Sequence, residues 1–450
     1  AYLERVAVEC KNWLIHSCFL LFRARDEIHR TRTVERGLMQ MQSLVDQFED
    51  KEPSASERAL WYFSLPYPSR HLLQKELGSQ YLKMGIAVSA LQIFWPLQMW
   101  NEIIQCYIII GEPKKAEKMV REQLAIHETP ELWSVLGDLT EDVAHYQKAW
   151  DLSKGHFTRA KRSQAKNYLR RGLHKEAIEA FELALAINPL YSECWFSLGC
   201  SAMKVEDYAK ATYAFQKTIQ LAEEDADSWS NLGACFTKLN KSNEAFNAFQ
   251  EALKHSRESW KLWENFLTAA LSIGDMSSAL RAVEAILNLK DSVDIKVVKV
   301  FSAYLSDRDV DKSREVLRLR EKFTDVLVKI GNKMANVPEI WGLSAVFYGH
   351  LDQHDKEIEC LQKQVRQIHN APGWETEANK FESLVESLKQ LVESLVQFSS
   401  DPKPLYSTKL QIRGISRKCE ELLGSNPAFA SLATLTNTLT LREQELKNMR

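Results

Sequence analysis

The sequence contains little glycine and little proline. Its 450 residues include 16 glycines and 12 prolines, whereas alanine, leucine, glutamate and lysine are abundant. Glycine and proline are the residues that disfavour a helix interior most strongly. Their scarcity favours an all-helical protein, and a hydrophobic content of 45% is sufficient for a substantial buried core.

The sequence also lacks an excess of charge of either sign. The 58 lysines and arginines nearly balance the 60 acidic residues, so the net charge is −2. This balance provides no global attraction to nucleic acid or to a membrane surface, although local patches remain compatible with it. The longest apolar stretch, 103–110, contains Gln105 and is far too short to span a bilayer.

The eight cysteines form no Cys-x-x-Cys pair. Several lie within apolar helical patterns, where a reduced cysteine behaves as a small hydrophobic residue. This distribution favours a reducing compartment, so we expect a cytoplasmic or nuclear protein. The chain opens inside a helical pattern that includes Val6 and Trp13, and we expect it to be a fragment of a longer protein.

Tryptophans recur at a constant interval. Trp195, Trp229 and Trp263 are each 34 residues apart, which is the length of the tetratricopeptide helix–turn–helix unit. With each tryptophan at position 4 of its unit, small residues recur at positions 8 and 20 and large apolar residues at positions 7 and 24. The residues concerned are Leu198, Leu232, Gly199, Gly233, Ala211, Ala245, Ala279, Phe215, Phe249 and Val283. Chance agreement at so many offsets is negligible, so the pattern predicts a tetratricopeptide array.

Weaker copies of the repeat flank this block. We expect about six units over residues 71–290, one of them, between Trp133 and Ala149, shortened by several residues. We also expect an exposed linker near 49–58. The other segments are an N-terminal helical segment, degenerate repeats with long helices, and a C-terminal helical cap: residues 1–70, 291–400 and 401–450. The predicted fold class is all-α, a right-handed α-solenoid of tetratricopeptide repeats with flanking non-repeat helices.

The shortened unit and its surroundings resemble a narrower family. The stretches that carry the resemblance are Thr129-Pro130-Glu131-Leu132-Trp133, Leu136-Gly137-Asp138, Lys148-Ala149-Trp150 and Trp195-Phe196-Ser197-Leu198-Gly199-Cys200. They are similar to the tetratricopeptide repeat protein 27 family over roughly residues 70–290. The resemblance implies an intracellular, non-enzymatic protein that works with the chaperone machinery assembling large complexes, including spliceosomal ones.

The first helix of each unit in such an array lines a concave groove. In the unit that begins at Thr158, the groove-lining positions are Arg159, Arg162, Ser163, Lys166 and Arg170. Spacings of three and four residues place the four cations on one helical face. Equivalent positions of later units hold further polar residues: Ser197, Lys204, Asn231, Lys238 and Asn265. The pattern predicts a groove that captures an acidic or phosphorylated segment of a protein partner.

A second interpretation treats the same cations as structural. They could pair with the acidic residues of the preceding unit, which are Asp138, Glu141, Asp142 and Asp151, or face water. Asparagine at position 6 and lysine at position 13 are common in such repeats in any case. The Lys-Asn-Asn-Lys-Arg clamp with which some of these proteins grip a chaperone's C-terminal carboxylate is not matched in this chain.

RNA binding is an alternative of another class. Together with the basic patch at 159–175, the N-terminal region contains five arginines that could contact phosphate: Arg23, Arg25, Arg30, Arg32 and Arg36. However, acidic residues interrupt this group and no stacking aromatics are interleaved with it. A third alternative is that the array recruits substrates for a catalytic domain that lies outside this chain.

Motifs of enzymes are lacking. The sequence contains no glycine-rich phosphate loop, nucleophile elbow or His-Glu-x-x-His motif. His350 and His354 have a spacing that suits a metal on one helix, but the repeat frame places them at a turn. We therefore expect no catalytic residue, metal or cofactor. The expected function is a protein-binding scaffold or chaperone-linked adaptor without membrane association.

Overall fold

The computed structural model describes residues 12–60, 62–306, 314–375, 377–423 and 427–448, together with residues 5, 9 and 10. These residues form helices and connections, with no β-strand among them. The chain divides into two compact units, residues 1–207 (unit 1) and 208–450 (unit 2). The predicted all-α class is therefore confirmed.

Unit 1 consists of helices joined by short connections. The helices are α1 (Trp13–Ile28), α2 (Val34–Asp46), α3 (Ala55–Leu60), a 3₁₀ turn (Tyr62–Ser64), α4 (Arg70–Lys83), α5 (Ala87–Phe94), α6 (Trp100–Ile110), α7 (Pro113–Ile126), α8 (Pro130–Thr140), α9 (Val143–Leu152), α10 (Thr158–Arg170), α11 (His174–Ile187) and α12 (Ser192–Lys204). Its apolar core is divided into separate clusters along the chain, one of which joins α1, α2 and α4.

Unit 2 has the same construction but longer helices towards its end. The helices are α13 (Tyr208–Leu221), α14 (Ala226–Lys238), α15 (Ser242–His255), α16 (Trp260–Ile273), α17 (Met276–Lys290), α18 (Ile295–Ser306), α19 (Arg314–Lys333), α20 (Pro338–His350), α21 (His354–Asn370), α22 (Ala378–Phe398), α23 (Pro402–Leu423) and α24 (Pro427–Asn448). One continuous core runs from Ala245 to Leu439. In the part of the chain that the structure describes, no helix combines the length and the apolar character needed to cross a membrane.

Residues 70–290, all of which are described, contain more repeats than the sequence predicts. They form fourteen helices, and hence seven helix pairs in chain order rather than about six. The first two pairs, α4–α5 and α6–α7, have weak signatures, and α5 is only 8 residues long.

A glycine on the first helix of a pair lies against an aromatic ring of the second. A Cβ atom at Gly78 would come within 2.6 Å of the Phe94 ring, and one at Gly233 within 2.7 Å of the Phe249 ring. Such close approach requires a residue without a side chain. In the shortened pair α8–α9, a Cβ atom at Gly137 would lie 2.7 Å from the Tyr146 ring. The shortened pair therefore keeps this contact, although its two partners are only nine residues apart in sequence.

The recurrent tryptophans also form a recurrent hydrogen bond. Each indole Nε1–H donates to the backbone carbonyl six residues earlier, in the connection that precedes its helix. The bonds join Trp195 to Pro189 (2.8 Å), Trp229 to Glu223 (2.9 Å), Trp263 to Arg257 (2.9 Å) and Trp341 to Ala335 (3.0 Å). Because Trp341 forms the same bond, the pair α20–α21 belongs to the repeat pattern despite its weak sequence signature.

Two boundaries of the predicted segments can be compared with the helices. The predicted linker at 49–58 is helical from Ala55 onward, because Ser54 and Glu57 form a capping box. The Ser54 N–H donates to Glu57 Oε2 at 3.2 Å, and the Glu57 N–H donates to Ser54 Oγ at 3.4 Å. At the other end, α22 ends at Phe398 and α23 begins at Pro402, where a missing N–H costs no helical hydrogen bond.

Candidate peptide-binding surface

Helix α10 presents the predicted cations on its outward face. Arg159, Lys166 and Arg170 are exposed, and Arg162 and Ser163 are half-buried. The opposite face is buried, and it includes two alanines, a glutamine and an asparagine. The sequence therefore places these side chains on one surface, which we call the basic face of α10.

Acidic residues of the neighbouring helices lie beside this face. Arg159 Nη2 is 3.9 Å from Asp138 Oδ2 on α8, and Lys166 Nζ is 3.8 Å from Glu193 Oε2 on α12. These side chains are well exposed, and both separations are close to the limit of an ion pair. Exposed pairs of this kind contribute about 0–1 kcal/mol. The acidic neighbours therefore neutralise the two cations only weakly.

Arg170 has a closer acidic partner than the other cations of this face. Its guanidinium forms an ion pair with the carboxylate of Glu141, the residue after the end of α8. The carbonyl of Glu141 accepts hydrogen bonds from the Arg171 guanidinium and, at 3.4 Å, from the Asn167 side chain. Glu141 has a φ of 57°, a left-handed conformation that ends α8. Arg170 therefore serves the packing of α8 against α10.

Arg162 differs from the other three cations. Its guanidinium carbon lies 4.0 Å from the centre of the Tyr191 ring, and among the described residues no carboxylate is within ion-pair distance. Its Nε atom is buried without a hydrogen-bond partner in that part of the chain. Burial raises the pKa of the neighbouring Cys194 thiol, although the Arg162 charge opposes that shift. Among the described residues, Arg162 is thus a cation without a carboxylate partner.

The second interpretation, in which the cations pair with acidic residues of the preceding unit, holds for two of the four acidic residues it named. Asp138 and Glu141 contact the basic face. Asp142 and Asp151 instead accept hydrogen bonds within α9, from the Ala144 N–H and the Gln147 side chain.

The remaining predicted residues lie on the first helices of later pairs. In unit 1, Ser197 is half-buried and Lys204 is exposed at the end of α12. In unit 2, Asn231 is half-buried on α14, Lys238 is exposed at the end of that helix, and Asn265 is exposed on α16. All five are accessible, but the structure gathers only the α10 residues into one cluster.

One notable residue of α10 was missed by the sequence interpretation. Lys161 occupies position 4, where the next three units have tryptophan, and it is only 6% exposed. Its ammonium donates to Gln147 Oε1 at 2.9 Å and Gln164 Oε1 at 2.8 Å, and burial lowers the pKa of Lys161. A lysine at the position where later units have tryptophan was the sequence signal that could have identified Lys161 as a buried residue.

The N-terminal arginines of the RNA alternative are largely paired with carboxylates. The pairs are Arg23 and Arg36 with Glu27, Arg25 with Glu76, and Arg30 with Asp26. The Arg36 hydrogen bond, with the help of Arg23, lowers the pKa of Glu27, which keeps this carboxylate charged. These arginines therefore offer less charge to phosphate than the sequence suggests.

The two histidines lie on either side of a turn, and His354 is used for packing. His350 ends α20 and His354 begins α21, as the repeat frame predicts. His354 bonds Glu357 Oε2 at 3.0 Å and stacks on Phe398 with ring centres 3.4 Å apart. Among the described residues, no group of three or more potential ligands is arranged to hold a metal. All eight cysteines are described, and each is a free thiol.

Comparisons with known proteins agree with this architecture. The chain is 37% identical over 448 residues, 99% of its length, to the tetratricopeptide repeat protein 27 homolog of Dictyostelium discoideum, of which it covers 52%. It is 28% identical over 441 residues, 89% of its length, to a TPR repeat-containing protein of Schizosaccharomyces pombe, of which it covers 54%. The chain thus spans about half the length of the curated relatives it matches.

Among solved structures, the C-terminal part of a TPR repeat-containing protein from Cytophaga hutchinsonii matches 50% of this chain and 97% of its own, with 15% identity and a TM-score of 0.41. No family model matches the chain. The curated relatives confirm the resemblance found in the sequence: over nearly its whole length, this chain is homologous to about half of a protein of the tetratricopeptide repeat protein 27 family.

Proposed function

We propose that the chain is a non-enzymatic protein-binding scaffold, and that the basic face of α10 holds an acidic or phosphorylated segment of its partner. Repeat proteins of this kind use their extended surfaces for binding. The observation that carries the proposal is Arg162, a half-buried cation beside Tyr191 that no described carboxylate neutralises.

The neighbours of Arg162 support the same proposal. Arg159 and Lys166 lie one turn to either side, and their contacts with Asp138 and Glu193 are long and exposed. A carboxylate or phosphate that approached Arg162 would therefore displace these pairs at little cost. Arg170 is not part of the proposed contact, because Glu141 already holds it.

We further propose that the whole protein acts as a chaperone-linked adaptor in the assembly of multiprotein complexes, spliceosomal ones included. This part depends on the resemblance to the tetratricopeptide repeat protein 27 family. The basic face would then hold a client or a chaperone component through an acidic segment, in a mode other than the five-residue carboxylate clamp.

The test compares two variants with the same change of charge. The first is Arg159→Glu/Arg162→Glu/Lys166→Glu. The control is Lys114→Glu/Lys118→Glu/Lys175→Glu, which reverses three exposed cations elsewhere in unit 1. Affinity purification with mass spectrometry should show that the α10 variant alone loses partners with acidic or phosphorylated segments, while both variants unfold at the wild-type temperature.

Two results would contradict the proposal. If both variants retain every partner, the cations of α10 are a solvated face and the protein contacts lie elsewhere. The RNA alternative is favoured if the α10 variant loses bound RNA rather than protein partners. In that case, RNA binding by the wild type should weaken steeply as the salt concentration rises.

A further inference from the structure

Unit 2 contains a pocket that lies outside the predicted groove-lining positions. Helices α15, α16 and α17 enclose a volume of about 320 Å³. It is lined by three apolar or aromatic residues, three cations and one glutamine: Leu253, Phe266 and Trp263, then Lys254, Arg257 and Arg281, and Gln250. Its size is at the lower end of the roughly 300–1,000 Å³ typical of ligand pockets, so it suits a single side chain.

The aromatic part of this pocket is fixed by its surroundings. The Trp263 indole donates to the Arg257 carbonyl at 2.9 Å, which ties the ring to the connection between α15 and α16. The Trp263 and Phe266 rings meet edge to face with centres 5.9 Å apart, and Phe266 stacks on Phe246 at 5.0 Å. A ligand would therefore meet a preformed aromatic surface.

The rim of the pocket carries unbalanced positive charge. Lys254 pairs with Glu251 at 2.6 Å, and Arg281 donates to the Ser278 hydroxyl at 3.2 Å. Among the described residues, no carboxylate is within ion-pair distance of Arg257 or Arg281, and none lines the pocket. Arg257 and Arg281 thus line the pocket without an ion-paired carboxylate, and Arg281 also lines a neighbouring pocket that contains Glu284 and Asp325.

The preceding pair of helices provides an internal comparison. Trp229 forms the same indole hydrogen bond, to the Glu223 carbonyl at 2.9 Å. Yet the positions equivalent to the three cations hold a glutamine, a glutamate and an asparagine: Gln220, Glu223 and Asn247. The repeat can therefore be built without these cations, so the packing of the helices does not explain their presence around Trp263.

We propose that this pocket binds a phosphorylated side chain of a protein partner. The phosphate oxygens would accept hydrogen bonds from Arg257 and Arg281, whose planar guanidinium groups match phosphate geometry. The carbon atoms of the side chain would lie on Trp263. This site is separate from the basic face of α10 and shares no residue with it, so either proposal can fail without the other.

The test measures binding of phenyl phosphate, O-phosphoserine and inorganic phosphate to the intact chain by isothermal titration calorimetry. Phenyl phosphate should bind most tightly, and Arg257→Gln/Arg281→Gln should weaken it by about tenfold or more, since hydrogen bonds to charged groups are the stronger ones. The control, Arg366→Gln/Arg413→Gln, removes two exposed arginines elsewhere in unit 2 and should bind as the wild type does.

Further outcomes refine or overturn the proposal. The variant Arg257→Lys/Arg281→Lys keeps the charge but loses the planar donors, and it should bind with intermediate affinity. Tighter binding of O-phosphoserine than of phenyl phosphate would support the phosphoryl site and assign it to an aliphatic side chain. The proposal is wrong if folded Arg257→Gln/Arg281→Gln binds phenyl phosphate normally, or if inorganic phosphate binds the wild type as tightly as phenyl phosphate does.

Discussion

The regular pair α14–α15 and the shortened pair α8–α9 solve the same packing problem with different parts. Both place a glycine of the first helix against an aromatic ring of the second, Gly233 against Phe249 and Gly137 against Tyr146. Only the regular pair keeps the indole hydrogen bond, whereas the Trp133 Nε1 atom is buried without a partner among the described residues. The contact within a pair is thus conserved on shortening, and the contact with the preceding connection is lost.

A difference in loop length explains that loss. The connection before α14 has four residues, 222–225, and its second carbonyl accepts the indole N–H. The connection before α8 has three residues, 127–129, so the carbonyl six residues before Trp133 belongs to His127, which is the first residue of the connection and the C-cap of α7. Trp133 instead stacks on His145, with ring centres 5.6 Å apart, and receives the Lys148 ammonium 3.8 Å above its ring.

The largest effect should come from filling the close contact within each pair. Gly233→Ala and Gly137→Ala each force a methyl group into a ring that is less than 3 Å away. We expect each substitution to destabilise its pair by about 1–3 kcal/mol, the usual cost of overpacking. Hydrogen exchange should show the loss of protection in α14–α15 for the first variant and in α8–α9 for the second. Equal protection before and after substitution in the shortened pair would show that its contact is not equivalent.

A smaller effect on stability should distinguish Trp229 from Trp133. Trp229→Phe removes a hydrogen bond worth about 1 kcal/mol in addition to some packing area. Trp133→Phe removes a similar area but relieves an unpartnered donor. The first variant should therefore be more destabilised than the second by about 1 kcal/mol or more in urea unfolding. A Trp133→Phe variant that loses as much stability as Trp229→Phe would contradict the assignment of the lost bond.

The smallest effect should be a change with pH at Lys161. Burial lowers the pKa of this lysine in the folded chain, so between the folded and unfolded pKa values the unfolded state binds more protons. Stability attributable to Lys161 therefore rises as the pH rises through that window towards 10.5. Relative to Lys161→Met, the wild type should gain stability between pH 7 and pH 10 in thermal unfolding. A stability difference that is constant with pH would show that Lys161 is not desolvated, and Lys175→Met, at an exposed site, provides the control.

Most of the fold could be predicted because it depends on residue types that recur at the same position of each repeat. The 34-residue interval of Trp195, Trp229 and Trp263 predicts the pairs that contain them. Trp341 does not follow this interval, because it lies 78 residues after Trp263 and 78 is not a multiple of 34. The residues around it, Ala345 and Tyr348 included, fit only the first helix of a degenerate repeat, so its pairing with α21 required the structure.

The candidate sites were less predictable for a related reason. Helical spacing alone placed Arg159, Arg162 and Lys166 on one face. It could not show which acidic neighbours would approach them, because Asp138 and Glu193 lie on other helices. The pocket around Trp263 was missed altogether, since its cations come from two helices and the connection between α15 and α16.

The indole hydrogen bond has a consequence for how such a chain can change length. It ties the first helix of a pair that carries this tryptophan to a carbonyl at a fixed distance along the chain, in connections of four residues such as 188–191 and 256–259. Insertions and deletions within a pair leave this register untouched, whereas a single residue gained or lost in a connection removes the acceptor. Exons, engineered fusions or grafted repeats should therefore join inside the helix pairs, between their two helices, and leave the four-residue connections whole.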